Sequence, residues 1–217
     1  MLKSYRTLLA PGEETILIKK SRFIGYAMPI QSEEQALEWI ASMQKKHWDA
    51  THNCYAYVFG PHHEVQKAND DGEPSGTAGK PILEVIKKEQ LHDVAVVVTR
   101  YFGGIMLGAG GLIRAYSQTA AAGLHAAGIA VRQLFQEVAI GIDYTWLGKV
   151  ENEIHAVEEF FIDRIDYLDR VTVHALVPVD EVERFHKLLT NATNGQAELV
   201  DLDQQYVFVQ DGKLVKA

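Results

Sequence analysis

The stretch that decides the fold is Val94–Tyr116, which reads VAVVVTRYFGGIMLGAGGLIRAY. Its apolar run Val94–Val98 is typical of a buried strand. An alanine-rich helix is predicted from about Leu112 to Ala127, and Gly128 can end it. Between them lie Gly103, Gly104, Gly108, Gly110 and Gly111. Glycine tolerates positive φ and close approach, and the free N–H groups of a helix N-terminus suit an anion. The sequence therefore predicts an anion-binding surface along this glycine-rich segment (residues 103–111).

Two arginines flank the glycine-rich segment. Arg100 stands where the strand ends, and Arg114 follows the last glycine by three residues, in the first turn of the predicted helix. Arginine is unfavourable near the positive end of a helix dipole unless an anion compensates it. The glycines match neither GxxxxGK[ST] nor GxGxxG, so no nucleotide-binding fingerprint is predicted. The alternative is a tight turn that serves only helix–strand packing.

A second polar constellation is Asn69–Pro81, NDDGEPSGTAGKP, called here the acidic loop. Asp70, Asp71 and Glu73 place three carboxylates within four residues. They could hold Mg²⁺ or Ca²⁺, although no EF-hand spacing is present. They could instead pair with the two arginines if the segments meet. The third interpretation is a solvated turn in which Thr77 caps the next helix.

Histidines and a single cysteine offer little support for metal binding or nucleophilic catalysis. His52 and Cys54 share one face of a predicted strand, and His62 and His63 follow in a loop. A zinc site usually needs two paired ligand sets, and no GxSxG or HExxH motif is present. We predict a small buried cysteine with surface histidines, no catalytic residue, no metal and no cofactor.

Aromatic residues fall into two sets. Tyr55, Tyr57 and Phe59 alternate on one strand and are predicted to be core or half-exposed sheet residues. Tyr101 and Phe102, beside the glycines, are better placed to stack on a ligand.

Composition indicates a cytoplasmic, globular protein. The 217 residues are 47% hydrophobic and 23% charged, with one cysteine that cannot form an internal disulfide. No run approaches the length of a membrane span, and residues 1–20 lack the pattern of a signal peptide. The net charge of −8 opposes simple non-specific nucleic-acid binding.

The charge is unevenly distributed, which indicates two domains. Residues 1–132 carry 14 basic and 13 acidic residues, a net of +1, whereas residues 133–217 carry 7 and 16, a net of −9. We predict one domain over 1–132, containing the glycine-rich segment, and an acidic one over 133–217.

Periodicity predicts an α+β fold for both parts. In the first, helices are predicted over Gln31–Lys46, with Ser32 as N-cap, and over Lys80–Gln90. The strand Asn53–Phe59 precedes a loop predicted over Gly60–Thr77. The second part reads β-α-β-β-α-β, the ferredoxin-like pattern. Its predicted elements are Val138–Tyr144, Trp146–Val157, Phe160–Tyr167, Val171–Val177, Glu181–Leu189 and Glu198–Val209.

The acidic loop and RYFGGIMLGAGGLIRAY, with a helix and a strand between them, resemble the signature of the Impact family, formerly an uncharacterised protein family. The two motifs cover about 40 residues, and HNCYAYVFG ahead of them is similar to the corresponding family strand. The order of the domains resembles that of bacterial members over nearly the whole chain. The resemblance implies an N-terminal domain like the second domain of ribosomal protein S-five and a ferredoxin-like C-terminal domain, a pair that also ends elongation factor G.

The resemblance also implies a set of binding positions, none of them an established catalytic residue. Those in the acidic loop are Asp70, Asp71, Gly72, Glu73, Pro74, Gly76, Thr77, Gly79, Lys80 and Pro81. Those around the glycines are Arg100, Tyr101, Gly103, Gly104, Gly108, Gly110, Gly111, Arg114 and Tyr116. Eukaryotic relatives are translation regulators that act partly through an RWD domain, which this sequence does not contain.

The sequence therefore leaves two possible functions. The first is a non-enzymatic, translation-associated binding protein whose glycine-rich face contacts RNA, the ribosome or a ribosome-linked protein. The alternative is a metal-dependent hydrolase or phosphate-handling enzyme whose metal is held by Asp70, Asp71 and Glu73. The first is favoured because no nucleophile–base pair is recognisable.

Overall fold

A computed structural model describes residues 2–210 and 213–215. The chain divides into two compact units. The first is Tyr5–Ala130, and the second comprises Leu2–Ser4 together with the described residues from Val131 onward. Both units are built from antiparallel sheet and helices, so the chain has an α+β fold.

The first unit contains a five-stranded antiparallel sheet with the strand order β2-β3-β6-β4-β5. The elements up to residue 126 are β1 (Ser4–Leu8), β2 (Gly12–Ile18), β3 (Ser21–Pro29), α1 (Glu33–Lys46), β4 (His52–Phe59), β5 (Val65–Asn69), α2 (Gly79–Lys88), β6 (Val94–Tyr101) and α3 (Ala109–Ala126). As predicted, Ser32 caps α1, its side chain accepting a hydrogen bond from Gln35 N–H.

The central strand β6 is buried on both faces. Val94, Val96 and Val98 belong to a core shared with residues of α2 and α3. Ala95 and Val97 face the other way, into a core shared with α1. A strand covered on both sides reads as a continuous apolar run, which explains VAVVV. The same strand delivers Arg100 to the edge of the α3-facing core.

Helix α3 lies close against strand β3 because both carry glycine at the contact. A Cβ added at Gly25 would come 2.3 Å from the Thr119 carbonyl oxygen, and one at Gly123 would come 2.8 Å from the Gly25 carbonyl oxygen. Either contact is too short for any real Cβ. The glycine pair therefore fixes how deeply α3 sits on the sheet, and with it the position of the helix N-terminus.

The second unit follows the predicted β-α-β-β-α-β order. Its elements are β7 (Ile129–Ile142), α4 (Leu147–His155) after a 3-10 turn at Tyr144–Trp146, β8 (Phe161–Tyr167), β9 (Val171–Pro178), α5 (Val182–Ala192), β10 (Glu198–Gln210) and β11 (Lys213–Val215). The antiparallel strands lie in the order β11-β10-β7-β9-β8. Apolar residues of α4 and α5, including Val150, Ile154 and Phe185, pack with one face of the sheet.

Several predicted boundaries of helices and strands were wrong. The predicted loop over residues 60–77 contains the strand β5, and the strand β1 was not predicted. Strand β7 starts at Ile129, so it contains both the predicted domain junction between residues 132 and 133 and the division between Ala130 and Val131. Helix α3 starts at Ala109, which puts Arg114 in its second turn and not its first. No helix among the described residues has the length and apolar character needed to cross a membrane.

Candidate functional site

The acidic loop and the glycine-rich segment meet through one buried carboxylate. Glu73 Oε1 accepts hydrogen bonds from Arg100 Nη1 at 2.6 Å and from the Tyr116 hydroxyl at 2.8 Å. The side chains of Glu73 and Arg100 are only 3% and 6% exposed. Burial raises the pKa of Tyr116, so its hydroxyl stays protonated and donates to Glu73. Arg100 and Tyr116, predicted as surface binding residues, are therefore part of a buried cluster.

Asp70 does not pair with an arginine but organises the acidic loop. Its Oδ1 accepts the N–H groups of Ala78 and Gly79 at 3.0 and 2.8 Å, and its Oδ2 accepts that of Gly76 at 2.8 Å. Burial would raise the pKa of Asp70, but these three donors outweigh it and lower the pKa. Asp70 thus caps the start of α2.

Thr77 does not cap α2, contrary to one of the three interpretations. The N-cap position is Ala78, which makes no side-chain capping bond. The Thr77 hydroxyl donates to the Pro74 carbonyl at 2.7 Å instead. The cap comes from Asp70, nine residues before Gly79.

Asp71 completes the contact between the acidic loop and β4. Its Oδ2 accepts the Asn53 N–H at 2.6 Å, and its carbonyl oxygen lies 2.7 Å from His52 Nδ1. On the same face, the buried Cys54 Sγ donates to the Asp70 carbonyl at 3.0 Å. Burial raises the pKa of the Cys54 thiol, so the reactive thiolate is disfavoured.

Each of the three carboxylates of the acidic loop thus accepts at least one hydrogen bond from the protein. Within residues 2–210 and 213–215, no group of three or more His, Cys, Asp or Glu side chains is placed to hold a metal ion.

The N-terminus of α3 has unused hydrogen-bond donors. The N-cap Gly108 has φ 70° and no side chain to cap the helix, and the first helical backbone bond runs from Leu112 N–H to the Gly108 carbonyl. Among the described residues, no acceptor is present for the N–H groups of Ala109, Gly110 and Gly111. Three donors at the positive end of an 18-residue helix are therefore open to a ligand.

Arg114 lies beside these donors. It is exposed, and a Cβ added at Gly110 would come 3.7 Å from its Nη1. The guanidinium thus folds back over the first turn of α3, and no ion pair of Arg114 is present in the part of the chain that the structure describes.

A pocket of about 410 Å³ opens next to the first turn of α3. Its polar lining comes from Thr51, His52, Glu73 and Arg100. Most of the remaining lining is apolar, from Phe102, Met106, Leu107 and Leu112. Glu73 Oε2 lies 3.9 Å from His52 Nε2 and accepts no hydrogen bond from the described residues. Arg100 Nε is buried without an acceptor in the same described set. Pockets of this volume with few polar groups are typical of small-ligand sites.

The hairpin turn between β2 and β3 brings further positive charge to this face. A Cβ added at Gly103 would come 2.1 Å from the Lys20 carbonyl carbon, and Gly103 N–H donates to Ser21 Oγ at 3.1 Å. Lys19 and Lys20 are exposed. The sequence shows this basic stretch, but only the pairing of Arg22 with Tyr101 across β3 and β6 places it beside the glycines.

The remaining predicted binding residues divide by exposure. Phe102, predicted only as a residue that could stack on a ligand, is 47% exposed, and its neighbour Met106, which was not predicted, is 84% exposed. Tyr101 is half-buried, and its hydroxyl lies 2.9 Å from His47 Nδ1. Gly72, Gly104, Gly108, Gly110 and Lys80 are exposed, Gly76, Gly103 and Gly111 are half-buried, and Thr77 and Gly79 are buried.

Comparison with known proteins places the chain in a family. Residues 19–124 match the Impact N-terminal domain, and residues 140–196 match a domain of unknown function, DUF1949. The chain is 47% identical over 207 residues to the IMPACT family member YvyE of Bacillus subtilis, covering 95% of both chains. This protein belongs to the IMPACT family.

Two further similarities differ in how much of this chain they cover. One solved structure is described as the crystal structure of an hypothetical protein. Its chain is 30% identical to this one, with a TM-score of 0.59, and the match covers 94% of this chain and 99% of the chain in that structure. Protein IMPACT of Mus musculus is 36% identical over 95 residues, which is 42% of this chain and 29% of the mouse protein. The similarity to the mouse IMPACT protein is therefore restricted to a part of each chain.

Proposed function

We propose that this IMPACT family protein is a cytoplasmic, non-enzymatic RNA-binding protein that acts near translation and contacts single-stranded RNA through its glycine-rich face. This face consists of the α3 N-terminus, Phe102, Arg114 and the Lys19–Lys20 turn. One observation carries the proposal: the unused N–H donors of α3, the exposed cations and the exposed Phe102 ring lie on the same face.

Each component suits one part of a single strand. Phosphates are bound by helix N-termini and by Arg or Lys side chains. Bases stack on exposed aromatic rings such as that of Phe102, which is how single strands are bound without sequence readout. The buried hydrogen bonds from Arg100 and Tyr116 to Glu73 tie the acidic loop to β6 and α3, and elements positioned before binding lower its entropic cost.

The charge distribution supports the same assignment. The overall net charge of −8 combines a net of −9 in residues 133–217 with a net of +1 in residues 1–132. The part with the glycine-rich face is therefore close to neutral. The cations of this face are therefore a local feature of an otherwise acidic chain. The acidic unit would repel phosphates, which restricts RNA to the face with the glycines.

The experiment measures binding of a fluorescently labelled single-stranded oligoribonucleotide by anisotropy across a salt titration. In the triple variant Lys19→Gln/Lys20→Gln/Arg114→Gln, the slope of log K against log salt should fall by about 2, since each phosphate contact on a single strand contributes about 0.7. The matched control removes three exposed cations from the acidic unit, as Lys149→Gln/Arg184→Gln/Lys187→Gln, and should keep the slope of the unmodified protein.

Unchanged RNA affinity in the first triple variant would refute the proposal, as would an equal loss in the control. Arg100→Ala is not a suitable probe because Arg100 is buried against Glu73, so its loss would disturb the fold.

A further inference from the structure

From the pocket beside α3, we infer a binding site for a single nucleoside monophosphate, either free or as one unit of an RNA strand. The phosphate is held at the α3 N-terminus and the base enters the apolar pocket. The inference rests on the proposed function where the nucleotide belongs to RNA. It adds a defined ligand and a defined cavity to that proposal.

The phosphate position is set by two independent groups. The N–H donors of Ala109, Gly110 and Gly111 have no acceptor among the described residues, and Gly108 and Ala109 line the pocket. The Arg114 guanidinium lies over the same turn. Aligned backbone donors, the positive end of the dipole and a neighbouring cation together form a phosphate site.

The base position is set by the pocket itself. Its volume of about 410 Å³ lies in the range of small-molecule sites. The Phe102 ring lines it, and the Arg100 guanidinium carbon lies 5.2 Å from the centre of that ring. A flat aromatic base can therefore stack on Phe102 while Met106 and Leu112 contact its edges.

Polar groups in the pocket match the edge of a base. Arg100 is 5% exposed, lines the pocket, and has an Nε without an acceptor in the described part of the chain. Glu73 Oε2 likewise accepts no hydrogen bond from a described residue. The ion-paired Arg100 guanidinium and Glu73 Oε2, which lies 3.9 Å from His52 Nε2, share one wall of the pocket and suit a ligand that presents both acceptors and donors, as nucleobases do.

This geometry requires a ligand that has both an apolar part and an anionic part. That requirement can be tested directly. Isothermal titration calorimetry on the full chain compares adenosine 5′-monophosphate with adenosine and with inorganic phosphate. The monophosphate should bind at least about tenfold more tightly than either part alone, a difference of about 1.4 kcal/mol. Guanosine, cytidine and uridine monophosphates are titrated in the same way to establish which base fits.

Two variants separate the two ends of the ligand. Ala109→Asp places a carboxylate at the phosphate position and should weaken monophosphate binding about tenfold or more without affecting adenosine, while stabilising the helix N-terminus. Ala109→Asn is the uncharged comparator: it adds similar bulk without a charge, so it should weaken monophosphate binding less than Ala109→Asp does. Phe102→Ala, at a 47% exposed ring, should weaken adenosine and its monophosphate but not phosphate.

The outcomes distinguish this site from the RNA proposal. If labelled RNA binds and no monophosphate does, the pocket inference is overturned and the RNA proposal stands. If a monophosphate binds with the expected variant pattern and RNA does not, the site serves free nucleotides and the RNA proposal fails. Displacement of RNA by the monophosphate supports both. Equal monophosphate affinity in Ala109→Asp and the unmodified protein overturns the inference.

Discussion

Breaking the Glu73–Arg100 pair should destabilise the first unit far more than replacing both partners. In Glu73→Met, the Arg100 guanidinium loses its acceptor at 2.6 Å and the Tyr116 hydroxyl loses its acceptor at 2.8 Å. In Arg100→Met, the Glu73 carboxylate keeps the Tyr116 hydroxyl as a donor and His52 Nε2 as a neighbour at 3.9 Å, but it loses its arginine. Both leave a buried, uncompensated charge, because the side chains are 3% and 6% exposed.

The magnitude follows from that burial. Removing one partner of a buried ion pair costs about 3–5 kcal/mol, whereas replacing both partners by apolar residues of similar volume is often close to neutral. Each single variant should therefore lose about 3–5 kcal/mol of unfolding free energy. The double variant Glu73→Met/Arg100→Met should lose less than either single variant.

Urea unfolding followed by circular dichroism gives the four free energies of the double-mutant cycle. Tyr116→Phe serves as a comparator that removes one hydrogen bond without a charge and should cost about 1 kcal/mol. A double variant whose loss equals the sum of the two single losses would refute the reasoning, since the two charges would then not depend on each other.

Two further perturbations test other contacts. Asp70→Asn should lower the unfolding free energy by about 1–3 kcal/mol, because the amide NH₂ that replaces Oδ2 cannot accept the Gly76 N–H. Urea unfolding measures this loss. The control is Glu84→Gln at an exposed position of α2, which should stay within about 0.5 kcal/mol of the unmodified protein. Burial, and then the charge of Lys46, lowers the pKa of His47 from its usual 6.5. The unfolded chain therefore takes up that proton first, so the stability contributed by neutral His47 is complete above about pH 6.5 and is lost as the pH falls below it. Unfolding free energies at pH 7 and 5 should differ less in His47→Gln than in the unmodified protein, and an equal difference would count against this assignment.

The elements with a strong apolar pattern could be predicted from the sequence. The run Val94–Val98 identified β6, and helical spacing with Ser32 located α1. Strand β5 was not predicted, because four of its five residues are exposed and apolar and polar residues do not alternate along it. An edge strand of this kind forms because β4 offers it a partner, and that partner lies outside the local sequence.

The site itself was only partly predictable. The sequence showed that the carboxylates of the acidic loop could pair with the arginines. It did not show that Glu73 pairs with Arg100 while Asp70 and Asp71 accept backbone N–H groups. That choice depends on the register of β4 and β6, which places His52 opposite Arg100. Non-local register is not encoded in any short motif.

The central position of β6 has a consequence for how the first unit is made on the ribosome. Both neighbours of β6, the strands β3 and β4, are synthesised well before it. Until β6 emerges, the sheet lacks its middle strand, and until α3 follows, the Gly25 side of β3 has no cover. Pairings between segments so distant in sequence form slowly. The nascent chain therefore holds unpaired strand edges for longer than a domain built from local hairpins, which makes this interval the stage at which it is most exposed to aggregation.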